Sequence, residues 1–75
     1  MAKRKDPLLR DVGARVRACR EKRQWTQEDL AERAELDRSY IAGIEAGLRN
    51  PSIKAMAKIA RGLGLTISAL LESVN

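Results

Sequence analysis

The sequence predicts an all-α domain of five short helices. Three observations carry that reading. Apolar residues recur every three or four positions, as in Leu9, Val12, Val16 and Cys19, or Ile53, Met56, Ala60 and Leu63. Each such segment follows a residue able to cap a helix, namely Asp6, Thr26, Asp37, Ser52 or Thr66. Gly47 and Gly64 stand where two of the segments stop. With 75 residues there is room for one small core, near the lower limit for a chain without staples.

Residues 1–6 read as a basic N-terminal tail, which is either frayed or an arm laid against a polyanion, and residues 7–74 as the folded domain. Helix 1 starts at Asp6-Pro7, where Asp caps and Pro occupies a position whose N–H would have no partner anyway. It should run to about Arg23, with its arginines and Lys22 largely off the apolar stripe. Cys19 lies on that stripe and reads as a small core residue, since a reactive thiol needs exposure, with a redox sensor among the neighbouring arginines as the alternative.

Residues 25–51, WTQEDLAERAELDRSYIAGIEAGLRNP, read as two helices joined by a tight turn. Thr26 and Asp29 have capping-box spacing, and Trp25 and Leu30 occupy the staple positions. Leu30, Ala31 and Ala34 form the inner face, which makes Trp25 a staple and core residue. Gln27 at the first helical position is either a phosphate clamp, beside free backbone N–H groups, or a solvated side chain. After the turn at Glu35-Leu36, Asp37 should cap the next helix, with Ile41 and Ile44 inward. Arg38 and Ser39 then point outward in the first turn, an arrangement suited to the major groove of double-stranded DNA, where Arg can donate two bonds to guanine. The small Ala42 and Gly43 should let that helix approach DNA closely while reading little.

Ser52 caps helix 4, whose stripe is Ile53, Met56, Ala60 and Leu63. Thr66 caps helix 5, with Leu65 and Leu70 as its staple. This last helix is too short and apolar to stand alone. Leu65, Ile67, Leu71 and Val74 either complete the core or form a dimer interface.

Composition narrows the function. There is one cysteine and no histidine, so neither an internal disulfide nor a conventional zinc site can be built, and no metal or cofactor is expected. No nucleophile–base pair is available, which argues against an enzyme. No apolar run approaches the ~18 residues of a membrane span, and a cytoplasmic protein with no membrane partner is expected. The net charge of +5 is sorted by segment: acids dominate residues 26–37, and bases dominate on either side. A basic side facing a polyanion is one reading of this, a merely soluble surface the other.

Four pieces together resemble the phage-repressor/Cro family of helix-turn-helix regulators, often called the XRE family: W-T-Q-E-D-L-A, L-D-R-S-Y-I-A-G-I-E-A-G, R-N-P-S-I and A-R-G-L-G-L-T. The resemblance covers roughly Leu9 to Leu71. Within the family, L-D-R-S-Y-I-A-G-I-E looks most like the controller proteins of restriction–modification systems. The resemblance implies a compact five-helix repressor-type domain with its third helix in the major groove. It implies that Gln27 binds phosphate, that Arg38 and Ser39 face base edges, and that Tyr40 meets the backbone or a deformed step. By the same resemblance Arg49, Asn50 and Ser52 hold phosphates, and Arg20 pairs with Glu45. Glu35 stands where many relatives have a turn glycine, so a left-handed backbone there is expected to be strained. The expected partners are double-stranded DNA, a second copy of the chain on a pseudo-palindromic operator and, for a regulator, RNA polymerase. The alternative is an antitoxin or coactivator-like adaptor that uses the same fold to bind protein.

Overall fold

The computed structural model describes residues 6–72 and residue 74, and the described residues form five helices and no strand. Residues 1–5 of the basic tail lie outside them. Helix α1 spans Pro7–Lys22, α2 Gln27–Ala34, α3 Arg38–Glu45, α4 Ile53–Leu63 and α5 Ile67–Leu70. Helix α2 lies against α4, and α1 against α3, so the turn-linked pair α2–α3 is held from both sides.

Local chemistry sets the ends as expected. The Asp6 carboxylate accepts from the Leu8 N–H at 2.8 Å, and α1 closes at Arg23, within one residue of the expected boundary. The capping box at α2 is complete: the Asp29 N–H donates to Thr26 Oγ1 at 3.0 Å, and the Thr26 N–H donates to Asp29 Oδ2 at 2.8 Å. Ser52 and Thr66 cap α4 and α5 by accepting from Ala55 and Ala69, each at 3.0 Å. Gly47 and Gly64 both have φ of +74° and end α3 and α4. Glu35 is left-handed, with φ 57° and ψ 46°, as its place in the turn demands. There its carboxylate accepts from Arg61 Nη2 at 3.3 Å, an exposed pair that ties the turn to α4.

Two expectations need correction. Asp37 has the extended backbone of an N-cap, but its side chain makes no capping bond, so α3 starts with its first N–H groups unclaimed by that carboxylate. Ile53 is not on the core stripe of α4: it is 83% exposed, and the buried positions are Ala55, Met56, Ile59, Ala60 and Leu63. At the first turn of α4 the Ile53 position still projects past the edge of the core. The core begins two residues later.

Val16, Leu30, Ile41, Ile44, Ile59 and Leu70 are fully buried at the centre. Each contributes about 1.5–3 kcal/mol of apolar burial. Cys19 is buried among them. Trp25 is half-buried against this cluster, with the Arg33 guanidinium 4.2 Å from its ring centroid, so it acts as a packing residue. Gly13 was not singled out by the sequence pattern, yet the α1–α3 crossing depends on it. A Cβ at Gly13 would overlap the Ile44 carbonyl oxygen and stand 2.9 Å from that of Glu45.

Candidate nucleic-acid interface

A buried ion pair links α1 to the end of α3, close to the first turn of α2. Glu45, the last residue of α3, has a side chain only 3% exposed. Arg20 of α1 meets it with two parallel bonds, Nε to Oε2 at 2.8 Å and Nη2 to Oε1 at 3.0 Å. Its remaining terminal nitrogen donates to the Trp25 carbonyl at 2.6 Å. The hydrogen bond to Glu45 holds the Arg20 pKa above its ordinary value and outweighs the opposing effect of burial. Among the described residues no buried side-chain polar atom lacks a partner. The pair therefore fixes the angle between α1 and α3 without leaving a stranded charge.

Gln27 joins this network, since its Nε2 donates to Glu45 Oε1 at 3.1 Å. The amide is thereby oriented, with one N–H and its oxygen still uncommitted. The N–H groups of Thr26, Asp29 and Leu30 are spent on the cap and on the first helical bond. The backbone N–H groups of Gln27 and Glu28 are the ones α2 leaves open to an anion. Gln27 and Arg38 line one open groove together with Arg20, Thr26 and Glu28. Arg38 and Ser39 are exposed, and neither side chain makes a hydrogen bond to another described residue.

A second cluster forms where α3 meets the loop after it. The Tyr40 hydroxyl accepts from the Ser52 N–H at 3.3 Å. The Arg49 guanidinium stands 5.6 Å from the Tyr40 ring centroid. The stem of Arg49 crosses α3 at Gly43, where an added Cβ would lie 2.8 Å from its Cγ. The expectation that Gly43 leaves bare space for DNA is thus corrected: the loop arginine occupies that space. A glycine in the middle of an eight-residue helix was the available signal, because it costs helix stability and calls for a packing reason. Asn50 is exposed on the same loop. The structure thus gathers Gln27 with Arg38, and Tyr40 with Arg49 and Ser52, on and beside α3.

Leu65, Ile67, Leu71 and Val74 pack partly buried against the core cluster that includes the fully buried Leu70, each retaining open surface. No group of His, Cys, Asp and Glu suited to a metal occurs among the described residues, and none of their helices is long and apolar enough to cross a membrane.

Two short helices, α2 and α3, joined by a tight turn and braced by α4 and α1, make a helix-turn-helix unit. The helix-turn-helix family model matches residues 16–70, and the chain belongs to that family. Among its relatives, the immunity repressor protein of Bacillus phage phi105 is 45% identical over 60 residues, covering 80% of this chain and 42% of that repressor. The control protein C.MunI of Mycoplasma is 42% identical over 56 residues, 75% of this chain and 76% of that protein. The restriction–modification controller protein C.Esp1396I, solved as a tetramer in complex with its natural 35 base-pair operator, superposes with a TM-score of 0.84 at 38% identity. That match covers 92% of this chain and 91% of that one. The chain thus spans less than half of the phage repressor but most of the two controller proteins.

Proposed function

We propose that this chain is a sequence-specific regulator of transcription that binds double-stranded DNA as a homodimer on a pseudo-palindromic operator, in the manner of restriction–modification controller proteins. The observation that carries the reading is the contrast within α3. Its far end is locked by Arg20 and Gln27 on Glu45, while Arg38 and Ser39 at its near end stand exposed and uncommitted. A rigid reading helix with a free tip costs little reorganisation on binding. The likeness to a controller protein solved with its operator supports the same reading.

In this reading Arg38 and Ser39 meet base edges in the major groove, and the oriented Gln27 amide and the N–H groups beside it hold a phosphate. Tyr40, Arg49, Asn50 and Ser52 contact the backbone or sense its shape. With one cationic reader per domain, selectivity comes in good part from binding two half-sites and from DNA deformability. Leu65, Ile67, Leu71 and Val74 supply the dimer face. The protein acts in the cytoplasm, catalyses nothing, takes no cofactor, and meets RNA polymerase where its operator adjoins a promoter.

Binding to an operator selected from a randomised pool tests the reading. Arg38→Ala is expected to cost roughly 1–3 kcal/mol and to relax discrimination at one base pair per half-site, while Arg49→Ala weakens all sequences alike. Log affinity should fall with log salt by about 0.9 per phosphate neutralised. Unchanged discrimination in Arg38→Ala would remove the reading assignment, and binding indifferent to salt would favour the adaptor.

A further inference from the structure

Arg15, midway along α1, reaches across the fold to α5. Its Nε donates to the Leu70 carbonyl at 2.8 Å and its Nη2 to the Ala69 carbonyl at 3.1 Å. Those carbonyls belong to the last two residues of a helix only four residues long. A single turn has almost no stability of its own, and of its last two carbonyls that of Ala69 accepts only a longer bond, from the Glu72 N–H at 3.3 Å. A partly buried guanidinium that donates two bonds there closes that end and opposes the negative end of the turn. Five residues further on, α1 carries Arg20, whose fork holds Glu45 at the end of α3. One helix thus grips α5 with one arginine and the reading helix with another.

We propose that Arg15 is a positioning residue that sets the spacing between half-sites which the protein accepts. The inference rests on the homodimeric reading, with α5 and its neighbouring apolar residues as the contact between copies. In such a dimer the two α3 helices are related through a chain of joints: α3 to α1, α1 to α5, α5 to its copy, and back. The angular slack of the joints adds. The α1–α3 joint is stiff, because a two-bond ion pair and the glycine contact at Gly13 define it. Apart from Arg15 and the short connection to α4 after Leu63, α5 is held by apolar packing against the core, which is non-directional and permits swivel. The two bonds from Arg15 are directional and remove that freedom. One added base pair moves a half-site by about 3.4 Å and turns it by about 35°. A stiff dimer cannot follow both changes; a swivelling one follows them at small cost.

The test uses the full chain and a selected operator with one base pair inserted at, or removed from, its centre. The wild type is expected to lose affinity by about tenfold or more on either change, and Arg15→Ala by less than about threefold. Arg15→Lys, which keeps the charge but replaces the fork by a point donor, should fall between them. Affinity for an isolated half-site should stay within about twofold of wild type in both variants, because α3 and Arg20 are untouched. A dimeric wild type whose spacing penalty survives unchanged in Arg15→Ala overturns the role of Arg15 alone. Loss of half-site binding in both variants also overturns it, since Arg15 would then merely hold the fold. A wild type that sediments as a monomer and ignores spacing instead overturns the dimeric reading itself.

Discussion

Arg49 lies across Gly43 so closely that a Cβ there would come within 2.8 Å of its Cγ and 3.0 Å of its Cδ. The glycine is a seat for a side chain supplied by the following loop. From that seat the guanidinium reaches the face of Tyr40.

Gly43→Ala therefore separates folding from binding. Alanine favours the helix by up to about 1 kcal/mol, and the exposed arginine can swing aside, so stability should change by less than about 1 kcal/mol. Operator affinity should nevertheless fall, without a change in which bases are preferred. In the Arg49→Ala background the same substitution should have almost no further effect on binding, which a double-mutant cycle would measure.

Gly13→Ala should behave in the opposite way. The atoms it would strike are the backbone carbonyls of Ile44 and Glu45, which cannot move without shifting α3. A loss of about 3 kcal/mol or more is expected in chemical denaturation, at the upper end for overpacking. A variant that melts with the wild type would show that α1 and α3 are more loosely set than the geometry implies.

Glu45→Ala should destabilise the domain by about 3–5 kcal/mol, because it strands the Arg20 guanidinium in a site only 11% exposed. It also releases Gln27. Arg20→Met combined with Glu45→Leu should recover part of the stability, since an apolar pair can replace a buried ion pair. Phosphate contact through Gln27 should not return with it. Thermal melts and operator titration on the same samples would separate the two effects.

Asp29 supplies a pH dependence of known sign. Its bonds from the backbone and side chain of Thr26, the backbone one foremost, hold its pKa below the ordinary carboxylate range. A depressed folded-state pKa adds stability above the unfolded pKa of about 3.9, and that stability is lost as the pH falls through the folded value. Asp29→Asn should thus be less stable than wild type at neutral pH, and the difference should close in acid. A gap that persists below the folded pKa would place the effect elsewhere.

What the sequence made legible follows the range of each interaction. The caps at Asp6, Thr26, Ser52 and Thr66 are decided within four residues, and all are present, whereas the left-handed backbone at Glu35 was signalled only by the family resemblance. Arg20 and Glu45 lie 25 positions apart, and only the family resemblance pointed to their pairing. Arg15 on α5, 55 positions away, and Gly13 under α3 left no periodic trace, because a helix crossing is not written in either helix alone. Ile53 shows the converse failure. It fits a helical stripe by spacing, but spacing does not say where along the helix the neighbouring core begins.

The side chains of Arg38 and Ser39 bond to no other described residue, while the residues that hold α3 in place lie elsewhere on the chain. On the proposed reading, recognition and architecture are therefore written in separate letters. Substitutions at positions 38 and 39 should carry almost no folding penalty, so on that reading a lineage of such proteins can change its base contacts without first repairing its fold.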